Sequence, residues 1–259
     1  QNSFHGIQAY GNFVTSRFDP VDKRLTGVPN LNWPKVSTIA NLFDEFKVGD
    51  VAALLIEPIQ STFGDYYFDK QFILDAVRLA KEFKIPVIFD EIQTGFGVTG
   101  KRWYFEHLGI FPDIVIFGKK SQVSGIMTTA DYPFSKIPKL SATFDGDIID
   151  MLRSLYIMKA YKKFDLLDNC SARGEDLYKK MDLIDGIYNV RGIGLLLAFD
   201  LTDKKTRDNL FSSLLKNGLV CNPTRELSIR FRPNLAVTKS EVESSLNIIR
   251  KSINESRTI

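Results

Sequence analysis

Pro86-Val-Ile-Phe-Asp90 is a short apolar run that opens on a proline and ends on an acid, and its β-branched and aromatic residues read as a buried strand. Just upstream, Phe72, Ile73, Ala76, Val77, Leu79, Ala80 and Phe83 recur at helical spacing, so 70–83 reads as a helix with Asp69 as its cap. Val51-Ala-Ala-Leu-Leu-Ile-Glu-Pro58 before it and Asp113-Ile-Val-Ile-Phe-Gly118 after it repeat the buried-strand pattern. Strand, helix, strand, connection, strand implies an α/β fold built on a mostly parallel sheet with flanking helices. Ligands of such sheets bind beyond the carboxyl ends of the strands. Here those ends carry Glu57, Asp90 with Glu91, and Lys119 with Lys120.

Outward from this core, residues 1–50 are irregular, punctuated by Pro20, Pro29 and Pro34, with a helix expected around 36–47. Beyond about residue 145 the pattern changes. Helices are expected over 146–163 and 164–182, strands at 187–190 and 194–200, a helix near 204–217, strands near 219–222 and 227–231, and a last helix. Thr238-Lys-Ser-Glu241 is a capping box opening that helix, and Val242, Leu246, Ile249 and Ile253 form its buried stripe. The expected division is a large domain over 1–160 and a smaller C-terminal α+β domain over 161–259.

Composition narrows the function classes. The 259 residues are 44% hydrophobic and 25% charged, as in an ordinary globular chain. Net charge is +3, and 34 basic residues are interspersed with 31 acidic ones, so no basic stripe forms and nucleic acid is not an expected partner. No apolar run approaches a membrane span, and no membrane partner is expected. Cys170 and Cys221 lack CxxC spacing and the histidines are His5 and His107, which indicates neither a disulfide framework nor structural zinc and suits a reducing, cytoplasmic setting. The start at Gln1, without a leader pattern, suggests a chain that begins partway through a longer protein.

Taken singly, a lysine pair after a strand is more often a solvated loop than a site, and an acid at a strand end more often caps a turn. Together they change the odds. A pyridoxal 5'-phosphate enzyme needs a lysine to attach the cofactor and a carboxylate to keep the pyridine nitrogen protonated, and Lys119 and Asp90 end consecutive buried strands. Gln93, three residues on, is within reach of the cofactor's ring oxygen if the strand end turns. Phe4, beside His5 and Gly6, is able to stack on a ring, although a single Phe is more often packing.

Three ordered blocks, Ile56-Glu-Pro-Ile-Gln60, Val87-Ile-Phe-Asp-Glu-Ile-Gln-Thr-Gly95 and Pro112-Asp-Ile-Val-Ile-Phe-Gly-Lys119, resemble in order and spacing the signatures of class III, fold type I, PLP-dependent aminotransferases. Phe117-Gly-Lys-Lys-Ser-Gln-Val-Ser-Gly-Ile-Met127, Phe4-His-Gly6 and Ile229-Arg-Phe-Arg-Pro233 look most like the lysine 6-aminotransferase branch, and the likeness runs over nearly the whole chain. The resemblance implies transfer of the terminal amine of L-lysine to 2-oxoglutarate, an amino donor and a 2-oxo acid as small-molecule partners, and a homodimer with shared active sites. It implies that Lys119 is the Schiff-base lysine and then the proton-moving base, that Asp90 pairs with the pyridinium, and that Gln93 bonds the ring oxygen. Phe4, with His5 beside it, would lie on the cofactor ring, and Thr143 would reach the phosphate of the neighbouring subunit's cofactor. Glu57 would sit at the edge of the substrate site, and Arg230 would face the substrate's carboxylate, though an outward-facing strand charge is the plainer reading of Arg230.

The chain departs from the family pattern in three places. Ser61-Thr-Phe-Gly64 replaces Gly-Glu-Gly-Gly, so Thr62 stands where a glutamate would pair with the Arg230 position, and Ile7 replaces an arginine that would grip a carboxylate bidentately. Arg230 is then either permanently available to an acid or part of a different carboxylate arrangement. The family's phosphate-binding loop lies upstream of the Phe-His-Gly block, so residues 1–259 alone are expected to bind the cofactor weakly or not at all. Rival readings are a truncated or degenerate paralogue without turnover, a metal site built on Glu57, Asp90 and Glu91, and a nicotinamide site at Gly95-Phe-Gly-Val-Thr-Gly100. The last match is weak, because Lys101-Arg-Trp-Tyr-Phe does not start a helix convincingly and no acid ends a strand about 20 residues on.

Overall fold

The computed structural model of the chain describes residues 36–133 and 147–256. Phe4, His5, Ile7 and Thr143 lie outside them. Two compact units result, one comprising residues up to 60 with 67–93 and 104–155, the other 61–66 with 94–103 and 156 onward.

In the first unit, helix α1 (Ile39–Val48) leads to strand β1 (Leu54–Ile56), the short strand β2 (Ile59–Gln60) and helix α2 (Lys70–Glu82), with the two-residue strand β3 (Tyr66–Tyr67) falling at the division between the units. Asp69 caps α2 as expected, its Oδ1 accepting from Gln71 N at 2.8 Å and Phe72 N at 3.1 Å. Strand β4 (Val87–Asp90), a short helix α3 (Phe105–Leu108), β5 (Ile114–Phe117) and β6 (Gly125–Thr128) follow. The sheet order is β1-β4-β5-β6. β1 and β5 run parallel to β4, with Ile56 opposite Phe89 and Asp90 opposite Ile116. Ile73, Ala80, Val87 and Phe89 are fully buried, so the apolar stripe of α2 and the β4 strand form the core of this unit.

Two details differ from the sequence expectation. β1 is three residues long rather than eight, because it is an edge strand here and pairs only where β4 faces it. β6 was not anticipated: it folds back antiparallel on β5, making the sheet mixed at that edge.

The second unit is the expected α+β arrangement. Helix α4 (Ile148–Lys163), which begins in the first unit, and α5 (Leu166–Met181) precede a second sheet, formed by β7 (Tyr188–Ile193), β8 (Leu196–Asp200), β9 (Asn222–Thr224) and β10 (Ser228–Phe231) in the antiparallel order β7-β8-β10-β9. Helices α6 (Lys204–Lys216) and α7 (Lys239–Ser256) complete it. β9 starts later than expected and holds Pro223, which an edge strand tolerates. The capping box forms, with Glu241 N donating to Thr238 Oγ1 and Thr238 N to Glu241 Oε2, and Val242, Leu246, Ile249 and Ile253 are all buried. No helix among the described residues is long and apolar enough to cross a membrane.

Candidate active site

The parallel pairing of β4 and β5 brings their carboxyl ends to one rim. Asp90, the last residue of β4, is 4% exposed, and its Oδ1 accepts from Ile92 N at 3.0 Å. Glu91 N donates to Ile116 O at 2.9 Å, which holds the chain leaving β4 against β5. β5 passes through Gly118 into a 3-10 turn, Lys119–Ser121, that starts with Lys119 in the left-handed region at φ 59°. A lysine adopts that conformation only when its surroundings enforce it. Burial drives the Asp90 carboxyl above the ordinary carboxylate range, while the Ile92 N–H and the Lys119 charge pull it down. The parallel register of β4 and β5 thus sets Asp90 and Lys119 at neighbouring strand ends, near enough for the Lys119 charge to bear on the Asp90 carboxyl.

Gln93 is nearly buried in the turn after Asp90. Its carbonyl oxygen accepts from Lys120 Nζ at 2.7 Å, so the second lysine of the pair is engaged with the loop that carries Gln93. Glu57 sits half-buried two residues before β2, just past the end of β1. Glu91 is committed elsewhere: its two carboxylate oxygens accept from Tyr104 N at 2.7 Å and Phe105 N at 2.9 Å, fixing the start of α3. Among the described residues, no group of three or more His, Cys, Asp or Glu side chains is placed to hold a metal ion.

The glycine string 95–100 serves packing. It forms turns, with Gly97 and Gly100 both at φ 86°, and no helix starts until Phe105. Within the second unit its carbonyls are taken up: Phe96 O accepts from Tyr161 Oη at 2.6 Å, and Val98 O from Leu195 N at 2.8 Å. A phosphate cradle needs a helix N-terminus at that point, which is missing.

Arg230 lies on β10 in the second unit, where its Nη1 donates to Ser61 O at 2.9 Å. The turn that follows Gln60 is held there by more than this bond. Asp65, fully buried, pairs with Arg232 Nη2. Arg191 Nε donates to Gly64 O at 2.9 Å and its Nη2 to Asp200 Oδ1 at 2.8 Å. Burial raises the Asp65 carboxyl, against the pull of Arg232, Arg230 and Arg191. Sequence reasoning singled out neither Asp65, Arg191, nor the roles of Lys120 and Glu91. The only signal for the last two was their adjacency to Lys119 and Asp90.

Asp90, Lys119 and Gln93 thus share one rim within one unit. A buried carboxylate with a single backbone donor favours either a proton or a cationic partner, and the protonated nitrogen of a pyridine ring meets that demand. The ring end of pyridoxal phosphate fits these residues. The positions assigned to its stacking and phosphate contacts, Phe4, His5 and Thr143, are outside the described residues.

Residues 21–253 match the family profile described as "Aminotransferase class-III". The L-lysine-epsilon aminotransferase of Mycobacterium tuberculosis is 29% identical over 98% of this chain and 63% of that protein. The 4-aminobutyrate aminotransferase of Dictyostelium discoideum is 31% identical over 95% of this chain and 55% of that protein. The structure of lysine aminotransferase from M. tuberculosis superposes with a TM-score of 0.78 at 29% identity, covering 89% of this chain and 60% of that one. The chain therefore spans less than two thirds of the length of these relatives.

Proposed function

Since the chain belongs to the class-III aminotransferases, we propose that it is part of a pyridoxal 5'-phosphate-dependent aminotransferase that moves the terminal amine of L-lysine, or of a similar ω-amino acid, to 2-oxoglutarate. The observation that carries this reading is the placement of buried Asp90 and of Lys119 just past the ends of adjacent parallel strands. When bound, the cofactor supplies an electron sink for the carbon that bears the reacting amine.

Each residue then has a defined task. Lys119 would supply the amine that anchors the cofactor, and the same amine would carry a proton to and from the reacting carbon. Asp90 holds the proton on the ring nitrogen, and burial strengthens that charge pair. Gln93 donates to the ring oxygen. Glu57 borders the substrate site, and Arg230 takes the substrate's carboxylate, with Thr62 standing where the family pattern has a glutamate. Phe4, His5 and Thr143 complete the cofactor site, Thr143 from the neighbouring subunit of a homodimer. The large domain ends near residue 160 in this reading. Buried free thiols at Cys170 and Cys221 suit a cytoplasmic setting.

Borohydride reduction of the full-length protein loaded with pyridoxal phosphate, followed by peptide mapping, tests the assignment. Label on Lys119 is the expected result; label on Lys120, or none, overturns it. Substrate choice is tested by comparing L-lysine with 4-aminobutyrate as donors. Lysine is expected to give the higher kcat/KM, and a preference for 4-aminobutyrate, the donor named for a relative 31% identical to this chain, would reassign the donor.

A further inference from the structure

We propose that Lys120 is a positioning residue that ties the turn bearing Lys119 to the loop bearing Gln93, by donating its Nζ to the Gln93 carbonyl at 2.7 Å. The inference rests on the reading that Lys119 carries the cofactor. Two facts about the turn make such a tie necessary. Lys119 and Gln122, at its two ends, have φ values of 59° and 60°, both unfavourable for side chains with a Cβ. The turn's own hydrogen bonds, Gln122 N and Nε2 to Lys119 O at 2.9 and 3.0 Å, close it locally but do not fix it against its neighbours.

The loop on the other side has the complementary need. After β4 the chain leaves the sheet through Asp90–Gln93 in turns, where Ile92 N is taken by the Asp90 side chain and Glu91 N by Ile116 O. Gln93 is 9% exposed, so a carbonyl there needs a donor from the protein. An ammonium donor makes a stronger bond than a neutral one, and it spans 27 residues of sequence. Lys120 thereby sets the separation between the Lys119 amine and the Asp90–Gln93 edge that would receive the cofactor ring. Errors of a fraction of an ångström there are costly to a reaction that depends on alignment.

The test uses the full-length holoenzyme with Lys120→Met, which keeps the apolar stem and removes the donor, and Lys120→Arg, which restores a cationic donor. Lys120→Met is expected to weaken cofactor binding, read by absorbance titration, and to lower kcat, each about tenfold. KM for the amino donor should stay near wild type, the thermal midpoint should fall by a few degrees because the Gln93 carbonyl loses its donor, and Lys120→Arg should recover most of these losses. Wild-type cofactor affinity and kcat in Lys120→Met overturn the proposal, as does a loss that arginine fails to rescue. If borohydride labels Lys119 in the wild type, such a result concerns Lys120 alone; if it does not, the cofactor reading itself fails and this proposal with it.

Discussion

Asp90 is held in opposition to its surroundings. Its carboxyl is buried among apolar strand residues, which raises its pKa, and only the Ile92 N–H and the Lys119 charge offset that burial. A carboxyl whose folded-state pKa lies above its unfolded value contributes stability that is fully present below the unfolded value and lost as pH rises through the folded one. In cofactor-free protein the Asp90 carboxyl therefore costs stability as pH rises above the ordinary carboxyl range. Asp90→Asn keeps the shape and the Ile92 bond while removing the charge. Its thermal midpoint should match wild type at about pH 3, below the ordinary carboxyl value, and exceed it by a margin that grows as pH rises above that value and levels off once pH passes the raised pKa of the folded protein. Transamination by the loaded full-length protein should meanwhile fall by roughly 10² to 10⁴, since an amide does not hold the ring nitrogen protonated. A midpoint gain that does not grow with pH would show that the Asp90 charge is not what costs stability. The conflict between fold and function at this one residue is what a site, as opposed to a core position, is expected to show.

At the scale of elements, caps and close approaches divide what is local from what is not. Asp69 sits at the start of α2 and takes two of its unpaired N–H groups, so Asp69→Ala should cost about 1 kcal/mol in urea unfolding. This cap, the capping box of α7 and the buried strands were legible because each depends on residues within a few positions of one another. β6 was not, since Gly125–Thr128 becomes a strand only by pairing with β5, and neither was the length of β1, set by how much of β4 it meets. The same limit applied to the site. Asp90, Lys119 and Gln93 could be placed from strand ends, but the Asp65–Arg232 pair joins positions 167 residues apart, and the commitments of Lys120 and Glu91 are choices among several geometrically open partners. Gly174 is a further case: on α5, a Cβ would lie 2.0 Å from Gly194 O, against backbone that has no rotamer to relieve the clash. Gly174→Ala should destabilise the C-terminal unit by about 3 kcal/mol, measured as a lower urea midpoint; a loss below about 1 kcal/mol would mean that the helix and the Gly194 turn separate easily.

At the scale of the molecule, the distribution of apolar surface bears on assembly. Helix α4 buries Ser154, yet Ile149 is 64% and Leu152 48% exposed, and Ile148, Met151, Leu155, Tyr156 and Met158 are exposed with them. A helix this apolar gains its stability from packing, and an apolar face of this extent on a chain otherwise well patterned marks a surface that is covered in the working protein. The class-III resemblance supplies the occupant we propose, a second copy of the chain. Ile149 and Leu152 are three residues apart and share one face of the helix. If the proposed homodimer forms through this face, replacing both with glutamate in the full-length protein should convert a dimer to a monomer in sedimentation velocity, with transamination lost in step, because the proposed site, which would draw Thr143 from the neighbouring subunit, would be incomplete in a monomer. A variant that remains dimeric places the dimer contact elsewhere. A wild-type protein that is monomeric and active rules out the shared site itself, and α4 must then be covered by other parts of the same polypeptide.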